Sequence, residues 1–177
     1  MTKLNKKRST GIIKGCEGMR QSLENMYISK RFLVDDGMPE EAIDRFIEEK
    51  CQASEERYSS MDKDEYTDYL LNQREHIRSG EAQEVAYNEL STYGGEQFPD
   101  LLRIMHTMLW QIEEEADMVM LMRRGTIILG ADPDELAMAM ADTAKEINDH
   151  YMSITEEELE EAVDQKMLQA MERMQPN

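Results

Sequence analysis

The chain has 177 residues, 38 Asp and Glu against 20 Lys and Arg, and a formal net charge of -18. A body this acidic repels the phosphate backbone of nucleic acid and attracts cationic protein surfaces. Cys16 and Cys51 lie far apart without CxxC or Cys/His spacing, so neither a disulfide framework nor a zinc site is indicated.

The charge is unevenly spread. Residues 1–14 carry Lys3, Lys6, Lys7, Arg8 and Lys14 without an acid, which leaves a net charge of -23 on the other 163 residues. Lys, Asn, Ser, Thr and Gly dominate this stretch and offer little to bury, so a basic flexible arm is expected. Lys3, Lys6, Lys7 and Arg8 are its candidate nucleic-acid contacts. The arm lacks the apolar stretch of a signal peptide, and the longest apolar runs, 118–122 and 127–129, are too short to span a bilayer. The expectation is a soluble cytoplasmic protein with no membrane partner.

Apolar residues recur at helical spacing along most of the chain, which predicts a mainly α fold, a bundle of about six to seven helices. A first helix is expected from about Cys16 to Val34, with Met19, Leu23, Met26, Tyr27 and Leu33 on one face and the Asp35-Asp36-Gly37 cluster ending it. Pro39 opens a second helix, with Ala42, Ile43, Phe46, Ile47 and Cys51 inward. A third starts near Ser60, carries Asp62 and Asp64 in its first turn, and places Tyr66, Tyr69, Leu70 and Ile77 together. A fourth is expected over Ala82–Leu90.

Tyr93-Gly94-Gly95 is the clearest break in the sequence. It divides an acidic helical region, 15–93, from a second region, 96–177, and the two form one domain or two. From Pro99 the next helix turns Leu101, Met105, Met108, Leu109, Ile112 and Ala116 inward. Residues 118–129 read either as its continuation to a cap at Gly125 or as a small β-hairpin turning at Arg123-Arg124-Gly125, the hairpin being favoured. The segment ADMVMLMRRGTIILGADPDEL, from Ala116 to Leu136, resembles the hairpin-then-helix stretch of ATP-binding cassette ATPases. That resemblance implies a hairpin and no nucleotide hydrolysis, because the phosphate-binding GxxxxGK[ST] loop is absent from the chain.

Asp132, Pro133 and Glu135 predict an N-cap, a first-turn proline and a capping acid, opening a helix with Leu136, Met140, Ala144, Ile147 and Tyr151 inward. Thr155 and Glu158 form a second capping box, and Leu159, Val163, Ala170 and Met174 line the terminal helix.

No catalytic signature stands out. Three residues before His76, His106 and His150 stand Gln73, Arg103 and Ile147, so the Glu-x-x-His pattern of helical di-metal sites is missing. Asp62-Lys63-Asp64 begins like a calcium loop, but Tyr66 and Thr67 occupy the places of a ligand and the turn glycine. Cys51 reads as a structural thiol on an apolar helix face. No enzyme activity, cofactor or metal is expected.

The acids carry the functional expectation. Between Asp35 and Asp68 there are 13 acids and 4 bases; Glu41, Asp44 and Glu48 line the face of the second helix opposite its apolar one, and Glu40 and Glu49 are further candidate contacts with a partner. Acids one turn apart are roughly 6 Å from each other, close to the spacing of phosphates on a nucleic-acid strand. Glu157, Glu161 and Asp164 form a second stripe. In size and charge the chain resembles the small acidic proteins by which phages and plasmids inhibit restriction and CRISPR nucleases. A nuclease channel binds any sequence through its phosphates, so an acidic surface can occupy it in their place. The alternative is an oligomeric adaptor or structural subunit, as of a phage particle, self-associating through Met167, Met171 and Met174 of the Met-rich last helix.

Overall fold

The computed structural model describes residues 3–79 and 100–174, with side chains over 6–72, 107–166 and at 168. Among the described residues there are six helices and no strand: α1 (Lys3–Asp35), α2 (Glu40–Tyr58), α3 (Lys63–Ser79), α4 (Asp100–Ile128), α5 (Pro133–Ser153) and α6 (Glu156–Met174). The helix expected over 82–90 and the Gly94-Gly95 break lie outside the described residues.

The helix ends follow local chemistry. Gly37 ends α1 at φ +94° and Gly130 follows α4 at φ +104°, a left-handed conformation that favours glycine. After α4, the Gly130 N–H donates to Ile127 O and the Ala131 N–H to Thr126 O, the paired bonds of a glycine-terminated helix. Asp132 then caps α5 by accepting from the N–H groups of Asp134 and Glu135. Asp62 caps α3 in the same way, while its own N–H donates to Glu65.

Two expectations are corrected here. Residues 118–128 continue α4 as helix, so the hairpin does not form and the cap lies at Gly130, not Gly125. Packing overrides the β-branched run Thr126-Ile127-Ile128: Thr126 is buried, and Gly125 sits under the Tyr66 ring of α3. Arg123 and Arg124 do not turn the chain. Arg123 pairs with Glu55, and Arg124 donates to the carbonyl of Met61.

The second correction is the arm. Residues 3–14 are the first three turns of α1, which begins well before Cys16. A glycine face holds this part of α1 close to α4, with Gly11 opposite Leu129, Gly15 opposite Thr126 and Gly18 opposite Met122. The descending numbers make the two helices antiparallel, and Asn25 bonded to Glu115 continues the register.

One core joins all the helices that flank α1. It takes Leu23, Met26 and Leu33 from α1, Ile43 and Ile47 from α2, Ile112, Ala116 and Val119 from α4, Ile147 and Tyr151 from α5, and Leu159 from α6. Each fully buried Leu or Ile contributes about 1.5–3 kcal/mol of transfer free energy. The α2 face is as expected for Ile43 and Ile47, with Phe46 and Cys51 packed at its edge. On α3, by contrast, Leu70 is exposed. Among the described residues no helix is long and apolar enough to cross a membrane.

Candidate partner-binding surface

The acidic face of α2 is built around a buried lysine. Lys30 of α1 is 1% exposed, yet its ammonium keeps three oxygen neighbours: Asp44 Oδ1 at 2.6 Å, Asn148 Oδ1 at 2.8 Å and Glu40 Oε1 at 2.9 Å. Three N–H donors meet three acceptors, which is what makes a buried cation tolerable. Glu40 and Asp44 are therefore not free acids. Their side chains remain 44% and 51% exposed, so each presents surface to solvent while anchored from beneath.

Glu41, Glu48 and Glu49 are exposed, and among the described residues no cation pairs with them. Arg45 shares the face and bonds the Glu41 carbonyl, diluting the stripe by one charge. Further along α2, Glu55 is held by Arg123.

On α6, Glu157, Glu161 and Asp164 are all exposed, with Gln165 donating to Glu161. The capping box forms as expected: the Thr155 N–H donates to Glu158, and the Glu158 N–H to the Thr155 hydroxyl. Those bonds from Thr155 hold the Glu158 carboxyl below the usual carboxylate range. Lys166 anchors α6 to Glu24 and Asn25 of α1. The side chains of Met167, Met171 and Met174 lie outside the described residues, whereas Leu168, in the same turn as Met167, is 61% exposed. Lys6, Lys7 and Arg8 are exposed on helical backbone; the Lys3 side chain is outside the described residues.

One polar cluster escaped the sequence reading. Asp117 of α4 accepts from Ser54, Arg57 and Tyr58 of α2, and the Tyr58 hydroxyl is 3.0 Å from that of Tyr69 on α3. Burial and the bond to Asp117 push the Tyr58 phenol well above its ordinary value. Nearby, partial burial and the charges of Asp117, Glu113 and Glu115 push the Glu114 carboxyl up. The clue was an Asp one residue past buried Ala116, flanked by apolar positions. Both carboxylate oxygens are engaged by protein donors, which describes a joint between three helices.

Burial and Glu55 push the Cys51 thiol up to about 11, away from the thiolate. His150 is exposed with its ring edge-on to Tyr151. Among the described residues no three His, Cys, Asp or Glu side chains are grouped to hold a metal. A groove of about 270 Å³ between α1 and α5 has an apolar lining that includes Met19, Leu23, Leu136 and Met140.

Comparison of the chain with protein-family models, curated proteins and solved structures returned no match.

Proposed function

We propose that the protein is a non-enzymatic inhibitor whose acidic face occupies the cationic channel of a nuclease, or of another nucleic-acid-processing complex, in place of nucleic acid. Restriction and CRISPR nucleases are the target class that this reading puts first. The observation that carries it is the α2 face: Glu40 and Asp44 fixed by a buried lysine, beside exposed Glu41, Glu48 and Glu49, which pair with no cation among the described residues. A competitor of phosphate needs acids held in place before binding, because ordering long side chains on contact costs about 0.5–1.5 kcal/mol each. Lys30 supplies that order for two of the five.

The test is affinity capture from cell extract at low and high salt, followed by activity assays of each captured enzyme with the protein added back. An inhibited nucleic-acid enzyme that elutes with salt is expected. Charge reversal at Glu41, Glu48 and Glu49 together should weaken inhibition on the order of 100-fold, since like charges then face each other. Capture that persists in high salt, or inhibition untouched by the reversal, rejects the reading.

Exposed Leu168 favours a second reading, an adaptor that self-associates through the last helix. Leu159 of that helix is in the core, so deleting the helix would damage the fold and a point change is the cleaner probe. Light scattering should give an oligomer for the parent chain and a monomer for Leu168→Glu. A monomeric parent removes this reading.

A further inference from the structure

The cations at the start of α1 are clustered, whereas in the body only scattered bases such as Arg45 and Lys63 are likewise exposed without an acid in ion-pair range among the described residues. Arg20, Lys30, Arg31, Lys50, Arg57 and Lys166 each hold an acid within the fold. Lys6, Lys7, Arg8 and Lys14 are all exposed, and among the described residues none has an acid within ion-pair distance.

Their placement is distinctive as well. Residues 6–10 are exposed without exception, and the glycine contact with α4 begins only at Gly11, against Leu129. The preceding turns therefore lie beyond the α1–α4 contact. Successive helical residues are about 100° apart, so Lys6, Lys7 and Arg8 spread positive charge around the helix, and Lys14 adds another roughly 12 Å along the axis.

We propose that this end of α1 binds the phosphate backbone of duplex nucleic acid, seated in a groove without reading sequence. A flat acidic surface would engage one side of a helix; charge spread over about 200° of its circumference reaches phosphates on both walls of a groove. A helix about 10–12 Å across matches a DNA major groove about 12 Å wide. A lipid surface fits less well. An interfacial helix needs an apolar face, and among the described residues of these turns only Ile13 is a well-exposed large apolar side chain. The acidic body repels the rest of the duplex and confines contact to this end. The surface is separate from the acidic stripes and does not depend on the inhibitor reading; a chain carrying both could hold a nuclease and its nucleic acid together.

The experiment is fluorescence anisotropy of a short labelled DNA duplex titrated with the full chain between about 50 and 200 mM salt. Binding should weaken with salt at a log–log slope of about -3.6, about -0.9 for each of four neutralised phosphates. The helix-preserving variant K6Q/K7Q/R8Q should reduce affinity at least about 30-fold at low salt and flatten the slope to about -0.9. Circular dichroism should confirm that it retains the parent's helix content, and Lys63→Gln, an exposed body base, should bind as the parent does. Absence of binding at about 50 mM salt overturns the proposal. So does binding unchanged in the triple variant, equal affinity for a single strand, or preference for phosphatidylserine vesicles over duplex.

Discussion

Lys30 places a full charge inside the protein with its partners at the surface, and that asymmetry has a measurable consequence. Lys30→Met removes the buried charge and leaves Glu40 and Asp44, each about half exposed, free to regain water. The expected loss is below about 1.5 kcal/mol by urea denaturation, because a buried ion exchanged for a hydrophobe of similar volume is often near neutral. Removing the acids instead, as Glu40→Ala with Asp44→Ala, strands a buried ammonium with Asn148 and should cost about 3 kcal/mol. A costlier lysine replacement would refute this account. The glycine face gives a second contrast. Alanine ordinarily stabilises a helix interior by about 0.5–1 kcal/mol over glycine. At Gly15, however, a β-carbon meets the buried hydroxyl of Thr126, which is itself bonded to the Met122 carbonyl. Gly15→Ala should therefore destabilise by about 1–3 kcal/mol. At Gly11 the obstacle is the tip of exposed Leu129, which can swing aside. Thermal melts should show Gly11→Ala neutral or stabilised, and a Gly15→Ala that loses nothing would mean that the helices are not packed at Gly15.

Helix ends were legible in the sequence because capping is local. The Asp132 cap and the Thr155–Glu158 box need only residues three apart, and both form as read. The α2 face was equally legible from its period. What the residues of one segment could not reveal is which neighbour covers them. Residues 118–129 fit a hairpin until α1 and α3 pack on Thr126 and Gly125, and the first turns of α1, which offer little to bury and stay exposed over 6–10, are helical as the continuation of a helix held to α4 from Gly11 onward. At the site, the exposed acids Glu41, Glu48 and Glu49 were legible as a stripe, while the capture of Glu40 and Asp44 by a lysine on another helix was not. Asp117 was missed for the same reason, its donors coming from a helix some sixty positions away. That joint predicts how the helices part in alkali. Burial and bonding to Asp117 raise the Tyr58 phenol above its unfolded value near 10, so the fold favours the neutral form. Its stabilisation is complete below about pH 10 and is lost as pH rises further, because the unfolded chain ionises first. Cys51 begins the same loss from about pH 9. Stability measured from pH 8 to 11 should fall, and fall less steeply in Tyr58→Phe, which at neutral pH should cost about 1–2 kcal/mol for the lost hydrogen bond. An identical alkaline slope in the variant would place the titration elsewhere.

Across the whole molecule, charge acts in opposite directions on stability and on binding. The acids repel one another, and with 38 of them against 20 bases the surplus has no cation to meet. The surface ion pairs that do form, such as Lys145 with Asp149, are solvated, contribute little and weaken with salt. Lys30 is buried although its acids are half exposed, so this cluster responds less than a fully exposed pair. Salt thus removes a repulsion summed over many charges and gives up only a few weak attractions. Raising salt from about 10 to 150 mM shortens the screening length from about 30 to 8 Å, less than the span of a helix such as α2, so the melting temperature should rise. Partner binding should move the other way, because the α2 stripe with a cationic channel and the α1 end with a duplex both attract through charges that salt screens. A melting temperature that fell with salt would mean that the ion pairs outweigh the repulsion, and the acids would then be a lattice holding the fold rather than a surface available to a partner.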